Sequence, residues 1–153
     1  MPVIRSGEAP VETGAESKLN DELGSYRAVL LSDAGGLTQF GAFVETLHPG
    51  SKSSRKHWHE REDEFIYVLE GEVTLVEGDG EFVLTPGDAA TFKAGVANGH
   101  RLENRSALDA SYMVVGTRSS EDVVHYSDHD LVLTKSGAGR IWTDREGNPV
   151  EPY

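Results

Sequence analysis

Two histidines separated by one residue, His57 and His59, are followed five positions later by Glu64. Successive side chains of a β-strand point to opposite faces, so His57 and His59 would share one face of an extended segment. Glu64 would point the wrong way on that same strand, but the polar run 60–63 predicts a turn that places it on a neighbouring strand. Imidazole and carboxylate together suit divalent first-row transition metals. The spacing therefore predicts a metal site.

A fourth ligand has to come from elsewhere, and His100 is the best candidate because it lies in a predicted strand after a glycine turn. Asn98, two residues earlier, would lie on the same face and is the alternative, as a weak ligand or as a hydrogen-bond partner of a ligand. A bare His-x-His pair is weak evidence, since charged neighbours often solvate such histidines. The added glutamate and the flanking glycines favour a metal. The other histidines are expected at the surface or an interface: His48, His125 and His129.

Short strand-like segments with turn signals between them run from residue 26 to residue 116, with almost no helical periodicity. This pattern is typical of an all-β sandwich or barrel. We expect a loosely ordered N-terminal arm over residues 1–24, with at most one helical turn at 17–23, and a β-barrel over residues 25–116. The region 117–153 is expected to add a strand at 130–133 and a hairpin at 140–150 that pack on the barrel or on a partner subunit. Trp58, between the two histidines, is expected to pack against another layer.

The composition excludes several classes of protein. The formal net charge of −12 over 153 residues argues against a nucleic-acid partner and against binding to an anionic membrane, because both need basic clusters. The chain has no cysteine, so disulfides, thiolate ligands and cysteine nucleophiles are excluded. The N-terminus lacks the features of a signal peptide, and no stretch approaches the roughly 20 apolar residues of a membrane-spanning helix. We therefore expect a cytoplasmic location.

The segment around the histidines resembles the first conserved motif of the cupin family. That motif consists of a glycine, His-x-His, a glutamate and a second glycine, which here are Gly50, His57, His59, Glu64 and Gly71. One extra residue precedes His57.

A second stretch, residues 87–104, is similar to the second cupin motif but departs from it twice. Lys93 stands where proline is usual, and Asn98 stands where a ligand histidine is usual, with His100 two positions further on. Either Asn98 or His100 could therefore complete the site.

The resemblance implies a double-stranded β-helix, or jelly roll, with a divalent transition metal (Fe, Mn, Ni, Zn or Cu) in the mouth of the barrel. Its ligands would be His57, His59, Glu64 and His100. The resemblance also implies a homodimer formed by strand exchange, for which the strand near residues 26–31 or the terminal hairpin are candidates.

Three imidazoles and one carboxylate around a divalent ion leave a site charge of about +1, which favours an anionic substrate. Glu64 is the ligand most able to detach or act as a base, although no catalytic residue can be named from the sequence. The first hypothesis is a metal-dependent enzyme, a dioxygenase or an isomerase or lyase, that acts on a small anionic organic molecule. The second is a binding or sensing module without turnover. The third is a metal with a purely structural role.

Overall fold

Two antiparallel β-sheets face each other in the computed structural model, which describes residues 3–14 and 20–152. The strands in chain order are β1 (Val11–Thr13), β2 (Tyr26–Leu30), β3 (Phe40–Leu47), β4 (His57–His59), β5 (Glu64–Glu70), β6 (Val73–Glu77), β7 (Gly80–Leu84), β8 (Ala89–Phe92), β9 (His100–Glu103), β10 (Ala110–Thr117), β11 (Asp122–Tyr126), β12 (Leu131–Ser136) and β13 (Gly139–Thr143). Two single-turn helices are α1 (Asn20–Leu23) and α2 (Leu31–Ala34). One sheet has the order β1-β2-β3-β10-β5-β8, and the other β13-β12-β11-β4-β9-β6-β7. The predicted all-β architecture is confirmed.

Alternation along each strand decides which side chains point between the sheets. In β5, Ile66 and Val68 are 3% and 0% exposed, whereas Phe65 and Tyr67 on the other face are 37% and 41% exposed. The same alternation turns Glu64 inward at the first position of the strand. Tyr67 therefore points away from the histidines.

The hydrophobic core fills one end of the space between the sheets. Its buried members are Leu47, Ile66, Val68, Val73, Leu75, Leu102, Ala110 and Tyr112. His100 and Glu64 begin the strands that carry Leu102 and Ile66, so the histidines lie at the other end of the sandwich. The apolar end stabilises the fold, and the opposite end is left for polar side chains.

The N-terminal region differs from the loosely ordered arm that the sequence predicts. Within the expected N-terminal arm, β1 pairs with β2, with Val11 opposite Val29, because an extended segment satisfies its backbone groups on an open sheet edge. The helical turn expected at 17–23 is seen over Asn20–Leu23, and its residues 17–19 lie outside the described residues. Helix α2 begins at Leu31, so the strand expected near residues 26–31 ends one residue earlier, at Leu30.

The C-terminal region contains a strand that the sequence analysis missed. β11 lies between β4 and β12 and thereby joins the C-terminal strands to the strand that carries the histidines. β13 pairs along its length with β12, and the expected hairpin at 140–150 is reduced to a bridge between Thr143 and Pro149. β2 lies between β1 and β3 of the same chain, so of the two candidates for strand exchange only β13 is an edge strand.

Gly71 allows a turn that no other residue fits. It has a φ of +75°, and a Cβ built on it would lie 2.5 Å from the carbonyl oxygen of Asp109 and 2.9 Å from the Cα of Ala110. Gly36 has a similar φ of +70° but has nothing within 4 Å of a built Cβ.

We therefore expect Gly71→Ala to cost more stability than its control Gly36→Ala. Both substitutions place a Cβ in the left-handed region, which costs about 1–2 kcal/mol. Gly71→Ala adds the cost of overpacking against backbone, about 1–3 kcal/mol more. Urea unfolding of both variants measures the difference, and equal losses would contradict the tight turn.

Candidate metal centre

The three candidate histidines come from two neighbouring strands of the seven-stranded sheet. His57 and His59 lie on one face of β4, and His100 begins β9, where it pairs directly with His57. Glu64 begins β5 in the facing sheet. The polar turn at 60–63 thus leads the chain across to the opposite sheet, and not to a neighbouring strand as the sequence suggested. The four side chains meet between the sheets.

Glu64 is the point on which the three imidazoles converge. Its Oε1 atom lies 2.6 Å from Nε2 of His59 and 3.5 Å from Nε2 of His57. Its Oε2 atom lies 3.1 Å from Nε2 of His100. The structure therefore brings all four predicted ligands together, and each presents the atom that is free to coordinate a metal.

The other ring nitrogens of His57 and His59 are held by acceptors. Nδ1 of His57 lies 2.8 Å from the carbonyl oxygen of Arg55, which can only accept a hydrogen bond. Nδ1 of His59 lies 2.6 Å from Oδ2 of Asp122. A neutral imidazole carries one proton, so with Nδ1 protonated each Nε2 directs a lone pair at the Glu64 carboxylate. Lone pairs that face each other need a proton or a cation between them, and a divalent metal fits this donor set.

His100 is held differently. Its Nδ1 atom is buried without a hydrogen-bond partner among the described residues. The ring of Phe92 stacks on its imidazole at a centroid distance of 3.6 Å. Stacking on Phe92, together with the contact of Nε2 to Glu64 at 3.1 Å, thus sets the orientation of this ring.

The cluster shifts the proton affinities of its members. Burial would raise the pKa of Glu64, but hydrogen bonds from His100, His57 and His59 hold that pKa well below its usual range. Burial opposes the charged form of His59, yet Glu64 and Asp122 outweigh it and raise the pKa of His59 to about 9. Burial lowers the pKa of His100. Glu64 is therefore a firmly ionised ligand, which argues against the base role suggested from the sequence.

Asp122 is the site residue that sequence reasoning missed. It is 2% exposed, and its Oδ1 atom accepts a hydrogen bond of 2.9 Å from the backbone of Arg61 while Oδ2 holds His59. Glu62 lies beside it, with Oε1 3.6 Å from Nδ1 of His59 and Oε2 bound by Lys135 at 2.6 Å. The signal in the sequence was an acid two residues before Val124, on the inward face of β11.

Asn98 lies outside the cluster. It is exposed, precedes β9, and donates its amide to Oε1 of Glu77 at 3.0 Å. The argument that it shares a face with His100 fails because the strand begins only at His100. Of the two candidates for the fourth position, His100 is the one at the cluster.

The remaining candidate side chains lie elsewhere. Nδ1 of His48 lies 2.9 Å from Asp109, and Nε2 of His129 lies 3.8 Å from Glu22. Trp58 stacks on His125 at a centroid distance of 4.3 Å. Because His125 is its cross-strand neighbour on β11, Trp58 packs within its own sheet and not against another layer as expected.

A cavity of about 320 Å³, here called the inner cavity, lies beside the cluster. Its polar lining includes Glu45, Glu62, Ser53, Ser54, Thr117 and Arg118, together with His57, Glu64 and His100. Ile66, Leu102 and Val114 supply apolar surface. Arg118 is the one lysine or arginine among these lining residues, and its Nη1 atom donates to the carbonyl oxygen of Leu37 at 3.2 Å. A small molecule with several polar groups fits such a cavity.

We expect His57→Ala and His59→Ala to abolish stoichiometric metal while the fold is retained, because each removes one of the converging nitrogens. His100→Ala should weaken metal affinity at least about tenfold. Asn98→Ala is the matched control and should bind metal as the wild type does. Elemental analysis of the four variants tests this, and unchanged metal in the His57 or His59 variant would contradict the assignment.

Asp122→Asn should lower metal affinity by about 10–100-fold, since the carboxylate that orients His59 becomes a neutral amide. Asp128→Asn, at an exposed acid outside the cluster, is the control. Competition with a chromogenic chelator measures both dissociation constants. Equal affinity of the Asp122 variant and wild type would show that Asp122 does not support the site.

Comparison with known proteins identifies relatives over part and over all of the chain. The family model described as a cupin domain matches residues 43–116. A tetracenomycin polyketide synthase protein of Streptomyces glaucescens is 38% identical over 90 residues, which are 57% of this chain and 56% of that protein. The chain thus matches little more than half the length of this curated relative.

Two solved structures match more of the chain. One, described as a sugar phosphate isomerase from a cupin superfamily, from Silicibacter pomeroyi, is 37% identical with a TM-score of 0.90 and covers 99% of this chain and 98% of its own. The other, a putative sugar phosphate isomerase from Acidithiobacillus ferrooxidans, is 28% identical with a TM-score of 0.77, over 84% of this chain and 82% of its own. These likenesses confirm the double-stranded β-helix, and the chain belongs to the cupin superfamily.

Proposed function

We propose that this protein is a metal-dependent isomerase of a small sugar phosphate, with His57, His59, Glu64 and His100 as the metal ligands. The observation that carries the proposal is the convergence of three imidazole nitrogens on the carboxylate of Glu64, which lines the inner cavity. The nearly full-length likeness to a protein described as a sugar phosphate isomerase supports the choice of reaction.

The chemistry of aldose–ketose isomerisation suits this site. The reaction moves one proton between two adjacent carbons and needs stabilisation of the negative charge that develops on oxygen. A bound divalent metal would supply a Lewis acid for that charge. The chain itself contributes the ligands that hold the metal, and apolar walls that exclude water.

Arg118 is the group best placed to bind the phosphate. Its guanidinium lies on the wall of the inner cavity, where it also pairs with Asp33 and remains 41% exposed. Arginine binds phosphate oxygens through two parallel hydrogen bonds, which gives orientation as well as affinity. A phosphate held there would set the distance from the sugar carbons to the metal.

The oligomeric state and the cellular compartment are proposals as well. We propose a cytoplasmic homodimer in which the edge strand β13 contributes to the contact. No helix of the described residues is long and apolar enough to cross a membrane.

We expect the metal-loaded protein to interconvert an aldose phosphate and its ketose in deuterium oxide, with deuterium entering the substrate carbon. Chelation should abolish the exchange, and added metal should restore it. A panel of pentose and hexose phosphates followed by proton NMR tests this. Oxygen uptake without exchange would instead establish a dioxygenase, and thermal stabilisation by a ligand without turnover would establish a binding module.

A further inference from the structure

We propose that Glu45 is the proton-transferring base of this site and that Tyr112 is the residue that positions it. The inference rests on the isomerase proposed above and assigns it a catalytic residue that is not a metal ligand. It is carried by the placement of a carboxylate, bound by a buried phenol, on the wall of the same cavity that the metal ligands line.

The pairing is set by the sheet. Glu45 of β3 and Tyr112 of β10 are directly opposite each other, and both point between the sheets. The Tyr112 hydroxyl donates a hydrogen bond of 2.5 Å to Oε1 of Glu45. Tyr112 is 1% exposed and packs in the hydrophobic core, so its hydroxyl is held in place by the fold. Glu45 is itself half-buried, and partial removal of a carboxylate from bulk water costs stability.

Of the three carboxylates that line the inner cavity, Glu45 is the one left free to accept a proton. Glu64 is bound by three imidazoles. Glu62 accepts hydrogen bonds from Lys135 at 2.6 Å and from the backbone of Ser119 at 2.9 Å. Among the described residues the hydrogen bond to the Glu45 carboxylate comes from Tyr112 alone, and to a single oxygen.

The surroundings of Glu45 tune it for this task. Burial raises the pKa of Glu45 to about 7, the Tyr112 hydrogen bond opposes this rise, and the charge of Glu12 adds to it. The titratable groups nearest in the sheet are Tyr112 on β10, Tyr26 on β2 and Glu12 on β1. Those that line the inner cavity with Glu45 are His57, Glu62, Glu64, His100 and Arg118, and those that line a second cavity on its other side include Arg55 and Tyr126. A base whose pKa lies near the working pH both takes up and returns a proton efficiently.

The proposed step conserves all atoms and electrons. The Glu45 carboxylate takes the proton from C2 of the aldose phosphate, so that the C2–H bond breaks and an O–H bond forms on the carboxyl. The released electron pair forms the C1–C2 double bond and moves the carbonyl pair onto O1. Glu45 then returns the proton to C1 while the hydroxyl proton of O2 passes to O1, which yields the ketose.

The test compares Glu45→Gln with Glu72→Gln, an exposed control, in the metal-loaded protein. Gln keeps the shape of the side chain but cannot take up a proton, so Glu45→Gln should lower deuterium exchange at least about 100-fold. Because the shape of the side chain is kept and Glu45 is not a metal ligand, the metal content should stay within about threefold of wild type. The affinity for a phosphorylated hydroxamate, a mimic of the charged intermediate, should also stay within about threefold. Glu45→Asp, which keeps a titrating carboxylate, should retain part of the exchange.

Tyr112→Phe separates positioning from packing. With the pKa of Glu45 at about 7, we expect the acid limb of the wild-type kcat/KM profile near that pH. Since the Tyr112 hydrogen bond lowers this pKa, its loss should move the limb to higher pH. A merely structural effect would lower the rate without moving that limb.

The outcomes separate the two proposals. If wild type exchanges deuterium and Glu45→Gln exchanges within threefold of it, Glu45 is not the base and the isomerase stands. If no sugar phosphate exchanges with wild type, the isomerase fails, and the role of Glu45 fails with it. Should Glu45→Gln not fold, an unmoved acid limb in both Glu45→Asp and Tyr112→Phe would overturn the assignment of Glu45.

Discussion

The candidate metal centre is organised around a set of lone pairs that face one another. His57 and His59 each donate their Nδ1 proton to an acceptor, so their Nε2 atoms meet a carboxylate that Glu64 brings from the opposite sheet. A proton satisfies such a cluster in part, as the raised pKa of His59 shows, and a divalent cation satisfies it more fully. The proposed metal ligands therefore come from both sheets, and the binding energy of a cation held there would be coupled to the way in which the sheets face each other.

The same strands serve stability at one end and chemistry at the other. β5 and β9 begin with Glu64 and His100 and continue with Ile66 and Leu102, which are buried in the core. The side chain two residues later packs in the core, so the fold itself holds the ligand at the start of the strand in position. β11 adds Asp122 behind His59, which makes the C-terminal region part of the site and not merely a cover for the barrel.

The sequence predicted what local periodicity determines and missed what depends on distant pairing. Alternation placed His57 and His59 on one face, and the polar turn after them predicted the arrival of Glu64. That Glu64 lies in the facing sheet could not be read from the turn, because sheet membership is set by hydrogen bonds to β10 and β8. Asp122 lies 63 residues from His59, and Tyr112 lies 67 residues from Glu45. Local alternation can place Asp122 on the inward face of its strand, but it does not name the distant partner of either residue. Asn98 lies outside the cluster because β9 begins only at His100.

X-ray absorption spectroscopy of the reconstituted protein at the metal edge tests the central claim most directly. With His57, His59, His100 and Glu64 as ligands, the inner coordination sphere should contain nitrogen and oxygen at about 2.0–2.2 Å, with the outer scattering of three imidazole rings. Replacement of His100 by alanine should reduce that scattering to two rings. A wild-type spectrum with one imidazole or none would show that the cluster does not hold the metal.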